Sequence, residues 1–162
     1  NYNADGVIFM GSSDWASDEY IESASDILKD FPFIGMFGCH FVDVADEVRL
    51  VHWPGYLGGK RQYEPIGIGR VLRSDILDKM NWTPFQESLS AGLDWSMYLK
   101  LIQLTDGIAV IKDEQQDIRL LSISTNRWTN KHKFEDHWNG KLLSKRLDNK
   151  LLNKNFYDIF EL

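Results

Sequence analysis

The sequence predicts an α/β domain, a mixed sheet flanked by helices. Three observations carry that expectation. A short, continuously apolar run, Val7-Ile8-Phe9-Met10, has the composition of a strand covered on both faces. An amphipathic helical pattern follows within ten residues, and further apolar runs alternate with helical ones along the chain. Two runs, 33–44 and 48–53, are separated by a short acidic turn at Asp46-Glu47 and read as an antiparallel hairpin, which makes the sheet mixed.

Each element has a local reason. The first strand ends in Gly11-Ser12-Ser13, a tight turn that delivers Asp14 and Trp15 to the strand's carboxyl end, where open α/β sheets bind ligands. A helix follows at once, with Ser17 as capping oxygen and Asp18 and Glu19 on its positive end. Over 17–31, Tyr20, Ile21, Ala24, Ile27 and Leu28 share one face, and Pro32 stops the helix. The run 33–44 reads as one strand with Gly35, Gly38 and His40 inside it. Across the hairpin His40 stands opposite His52, and two readings remain open there: ordinary packed or surface histidines, and a paired role.

Residues 54–65 form a twelve-residue loop with three glycines and two tyrosines, long enough to be either a lid over a site or a plain exposed loop. Its Tyr, Lys and Arg side chains are within reach of a ligand in the first case. Ile66 to Leu72 reads as a strand with Gly67 and Gly69 on one face, a pattern that permits close backbone approach or marks a bulge. It is not a dinucleotide fingerprint, because the third glycine is missing. Ser74 is expected to cap a short helix to Met80, with Ile76, Leu77 and Met80 inward. After a loop holding Trp82, Pro84 and Phe85, a helix opens near Asp94, with Met97, Tyr98, Leu101 and Ile102 inward and Asp94 as a good N-cap. Strands at 107–111 and 118–123 precede a polar loop from Ser124 to His132. Residues 1–140 thus make the domain, and 141–162, rich in Leu, Lys and Asn, read as a helical segment packing on it or on a partner chain.

Composition excludes several classes. A length of 162 residues suits one domain. The net charge of −6, with acids interleaved in the single basic stretch, argues against a nucleic-acid partner. No apolar run of about 18 residues exists to span a membrane. One cysteine, Cys39, allows no internal disulfide, and a cytoplasmic location is expected. Six tryptophans are many for this length; most are expected to fill the core, but aromatic rings also stack on the apolar faces of sugars. The chain opens at Asn1 without a Met, in mid-approach to a strand, as an excerpt or processed product of a longer protein would.

Three stretches resemble family-2 glycosyltransferases of the GT-A type. Val7 to Trp15 is similar to their metal-and-nucleotide-sugar loop, a buried strand ending in an Asp-x-Asp element often written Asp-Ser-Asp-Asp-Trp. Gly11 and Ser13 stand where the two motif acids would be, while Asp14 and Trp15 match, so the motif is degenerate. Gly67 to Leu77 is similar to a Gly-x-Gly-x-x-Leu stretch and following helix that lie against donor sugar and acceptor. Gly92-Leu93-Asp94-Trp95 matches a Gly-x-Asp-Trp element whose aspartate is the general base. The resemblance covers Asp5 to about Lys133, the metal-and-acceptor half, without the nucleotide-binding half that precedes it in the family.

The resemblance implies a glycosyltransferase, or its acceptor-side portion, moving a sugar from a nucleotide-sugar donor to a carbohydrate or other hydroxyl acceptor. It assigns Asp94 as catalytic base and places Ser12, Ser13, Asp14, Gly67 and Gly69 against the donor. Trp15, Trp95 and Tyr56 fall on the acceptor side. A divalent cation, Mn²⁺ or Mg²⁺, is implied at Asp14 and His132, with His137 close enough to compete for the second place. Asp14 and Asp94 are then expected to converge on one cleft. The alternative is a non-catalytic carbohydrate-binding or scaffold module of the same fold. An unrelated hydrolase or phosphotransferase using Asp14 as nucleophile ranks last, since no Gly-x-Ser-x-Gly elbow or phosphate-cradling loop is present.

Overall fold

Three times the chain leaves its first sheet for the second, and twice it returns. The computed structural model describes residues 4–43, 49–112 and 120–124. Its elements in order are β1 (Gly6–Phe9), β2 (Asp14–Ala16), α1 (Asp18–Ile27), β3 (Phe33–Phe37), β4 (Cys39–Asp43) and β5 (Arg49–Trp53). They continue with β6 (Arg70–Arg73), α2 (Ser74–Lys79), α3 (Leu93–Leu104), β7 (Ile108–Lys112) and β8 (Leu120–Ser124). One sheet has the order β1-β6-β3-β7 and the other β2-β8-β4-β5, and both are mixed. In the first, β6 runs antiparallel to β1 and β3, while β3 and β7 are parallel. In the second, β8 is parallel to β4 and antiparallel to β2, and β4 and β5 form the hairpin. The steps β1 to β2, β3 to β4 and β7 to β8 each cross between sheets.

The α/β class expected from the sequence is present, with two sheets in place of one. The single strand read over 33–44 is two strands. Gly38 lies between them at φ +94°, a left-handed conformation that ends one ladder and turns the chain into the next. An apolar run reports burial and not sheet membership, so the break was hidden.

Alternation along the first sheet's strands sets up three layers. Phe33 and Leu72, with Val7, Phe9 and Ile108, face α2 and α3 and pack on Ile76, Leu77, Met80, Met97 and Leu101. Ile34, Met36 and Val71, with Ile8 and Ala109, face the other way onto Tyr20, Ala24 and Leu28 of α1. β1 therefore has apolar contacts on both faces, but as the edge strand of its sheet it is only partly covered. Helix α1 starts as read: the Ser17 hydroxyl accepts from the Tyr20 N–H at 3.1 Å. Burying one Leu of this kind contributes roughly 2–3 kcal/mol by area.

Three local expectations are corrected. Ser74 is the first residue of α2, not its cap, and its hydroxyl donates to the Ala4 carbonyl, tying the helix to the segment before β1. Gly92, at φ +70°, occupies the N-cap of α3, so Asp94 sits in the first turn instead. On α3, Met97 and Leu101 are buried but Ile102 is exposed, because the helix offers a narrower stripe to the sheet than its composition suggests. The polar loop from Ser124 with His132 and His137, and the segment 141–162, lie outside the described residues apart from Ser124 itself. No described helix is long and apolar enough to cross a membrane.

Candidate functional site

The strands β1, β3 and β7 point their carboxyl ends to one edge of the first sheet, and β6 begins there. Phe9, the last residue of β1, pairs with Arg70, the first of β6, and the Gly69 N–H donates to the Phe9 carbonyl at 2.9 Å. The turn with Asp14 leaves the sheet at this edge. The loop 54–65 also returns here: the Ile66 N–H donates to the Met36 carbonyl at 2.8 Å, and Tyr63 stacks at a tilt 6.1 Å from Phe37.

That loop is not a slack strap. The Tyr63 N–H donates to the Tyr56 carbonyl at 2.9 Å, and a single 3-10 turn at Gly59–Arg61 folds its tip. The turn aims Arg61 inward, where its Nε and Nη2 grip both oxygens of Glu64, the second at 2.7 Å. The same Nη2 donates to Asp94 Oδ2. Aromatic rings flank the guanidinium, Tyr56 at 4.1 Å from its centroid and Trp95 at 5.5 Å.

Arg70 is the anchor beneath. Its side chain is 0% exposed and Glu64's is 1%, so this ion pair, at 2.8 Å, is fully dry. Such a pair persists only if the remaining donors are satisfied. Every nitrogen of Arg70 has a partner: it also donates to the carbonyls of Ile66 (2.9 Å), Pro65 (2.6 Å) and Asp94. Arg70 thereby holds the end of the loop, the start of β6 and the first turn of α3 in one geometry. Gly67 completes the fit, because a Cβ there would stand 2.9 Å from the Asp94 Cβ. The expected close approach at Gly67 is thus met by Asp94, but Gly67 and Gly69 precede β6 and do not lie within it. Gly69, at φ +73°, presents its carbonyl to the Tyr20 hydroxyl of α1.

Asp94 is 30% exposed. Burial pushes its carboxyl up, but the hydrogen bond and charge of Arg61, with the charge of Arg70, outweigh that and hold it below the usual carboxylate range. Asp94 is therefore an anion at neutral pH, able to accept a proton but tied to a guanidinium. Tyr56 is pushed up to about 12, chiefly by burial, and stays a neutral hydroxyl.

Asp14 is held differently. Its Oδ2 accepts from the Gly11 N–H at 2.7 Å, closing the turn between β1 and β2, and no other side-chain hydrogen bond is made by it among the described residues. Ser12 and Ser13 are exposed at the turn, and Trp15 lies in β2 opposite Leu121. Among the described residues no three His, Cys, Asp or Glu side chains come close enough to hold a metal ion. Asp14 with one oxygen already engaged does not make a cation site by itself. His40 and His52 do face each other across the β4–β5 hairpin of the second sheet, with ring centroids 4.8 Å apart, whereas Asp94 lies on α3.

The structure thus gathers Asp94, Tyr56, Trp95 and Gly67 into one site, and sets Ser12, Ser13 and Asp14 at the same sheet edge without a contact to them. Glu64 and Arg70 were missed from the sequence. Arg70 carried a usable signal, since an arginine inside the apolar run Ile66–Leu72 must find a buried partner. No protein-family model, curated protein or solved structure matches the chain.

Proposed function

We propose that this chain is a glycosyltransferase, or the acceptor-side portion of one, with Asp94 as general base. In the transfer, the acceptor hydroxyl gives its proton to Asp94 while its oxygen forms a bond to the anomeric carbon of the donor. The bond from that carbon to the diphosphate oxygen breaks, and the leaving group takes the electron pair. Asp94, ionised and partly exposed at the first turn of α3, bonded to an arginine that the rings of Trp95 and Tyr56 flank, is the observation that carries this reading. The carboxylate has room for a hydroxyl, and the rings offer apolar faces to a sugar. Asp14 lies at the same sheet edge, and as a carboxylate it would meet a donor diphosphate only across a divalent cation.

The test is Asp94→Asn in a sugar-transfer assay with a panel of nucleotide sugars. Loss of a positioned base lowers turnover by about 10²–10⁴-fold, in a chain whose circular dichroism shows that it still folds. Turnover at the parental rate would take Asp94 out of the mechanism.

A second reading has its own support. Arg61 closes on Asp94, and Asp14 spends one oxygen on its own turn, as a non-catalytic carbohydrate-binding or scaffold module of this fold would tolerate. Titration of nucleotide sugars with and without Mn²⁺ separates the two. Saturable, metal-dependent binding counts against the module.

A further inference from the structure

Arg61 has more hydrogen-bonding capacity than the protein uses. Of its five N–H groups, Nε and the two on Nη2 are spent on Glu64 and Asp94, and Nη1 makes no hydrogen bond among the described residues. The side chain is 27% exposed, so Nη1 is reachable. Its two carboxylate partners are unequal. Glu64 is buried and pinned from below by Arg70, whereas Asp94 is partly solvated and meets Arg61 through one oxygen. Glu64 is a fixed anchor for the guanidinium and Asp94 an exchangeable one.

We propose that Arg61 is an anion receptor: the site takes a sugar that carries a phosphate or carboxylate, and this oxyanion replaces Asp94 on the guanidinium. Arg geometry suits either group, since the planar fork matches two oxygens at once. Tyr56 and Trp95 flank the guanidinium and supply the surface against which the attached ring rests. The exchange also frees Asp94. Two arginines and two carboxylates balance in the unliganded cluster, so an arriving carboxylate leaves one negative charge in excess and a phosphate leaves more. Proton uptake by Asp94 removes one unit of that excess. Anion binding and proton acceptance at Asp94 thereby reinforce each other. The sugar component rests on the transferase reading; the anion component does not.

Calorimetric titration of the 162-residue chain with pyrophosphate, glucuronic acid and a neutral methyl glucoside tests this. At least one anion should bind on the order of tenfold or more tighter than the neutral sugar, the size of one or two charge-assisted hydrogen bonds. Binding of pyrophosphate places the leaving group of the donor at Arg61, and binding of glucuronic acid places an acidic acceptor there. Asp94→Asn removes the internal competitor and should raise anion affinity several-fold, and the gain should disappear when Arg61→Gln is added. Three binding results overturn the proposal: neither anion binds, the neutral sugar binds as well as the anions, or the Asp94→Asn gain persists without Arg61. The comparison of anionic with neutral probes on the parent chain needs no variant to fold. Arg61→Gln that transfers sugar at the parental rate overturns the receptor and leaves the transferase standing; anion binding without any transfer does the reverse.

Discussion

Asp14 and Asp94 show two ways of placing a carboxylate at the same edge of a sheet. Asp14 is set by its neighbours: a four-residue turn returns its Oδ2 to the Gly11 N–H, and the arrangement is exposed and self-contained. Asp94 is set by residues 24 to 33 positions away, through Arg70 on its carbonyl and Arg61 on its carboxylate, over a glycine that lets it approach. A locally held carboxylate is cheap to lose and free to meet a ligand. One held by tertiary contacts is expensive to disturb, and its protonation is tied to the charges around it.

The contrast can be broken at three points beyond the Asp94 and Arg61 experiments, each giving a smaller effect than the last. Arg70→Ala strands the buried Glu64 carboxylate and should cost about 3–5 kcal/mol, read as a lowered urea midpoint. A loss under about 1 kcal/mol would mean that Glu64 reaches water when Arg70 is gone. Gly67→Ala forces a methyl against the Asp94 Cβ and should cost about 1–3 kcal/mol, with a matching drop in whatever activity Asp94 supports. A melting curve superimposable on the parent's would show that α3 moves aside freely. Asp14→Ala deletes one exposed turn hydrogen bond and should cost about 1 kcal/mol or less. A fall as large as that of Arg70→Ala would erase the distinction between the two aspartates.

The site was legible in pieces. Asp94, Tyr56 and Trp95 were each visible as residues of suitable chemistry, and the loop 54–65 as a segment too long to be a mere connection. Their convergence was not visible, because the residue that joins them, Arg61, looks from its neighbours like any basic loop residue. Glu64, just before Pro65, likewise carries no local mark of being buried. Only a neighbouring Arg70 with nowhere to put its charge except inward makes that burial tolerable.

By itself the sequence determined what depends on near neighbours. It set the α/β class, the apolar β1, the Ser17 cap and apolar face of α1, and the β4–β5 hairpin with His40 opposite His52. Periodicity and capping report these because dihedral preference and side-chain direction act within a few residues. The tertiary structure alone decided that the chain changes sheets at Gly38, that Gly67 makes room for Asp94, and that two arginines and two carboxylates close into one cluster. Those outcomes depend on which distant segments come to lie together, and a polar or glycine residue has no pattern along the chain that records the partner it will meet.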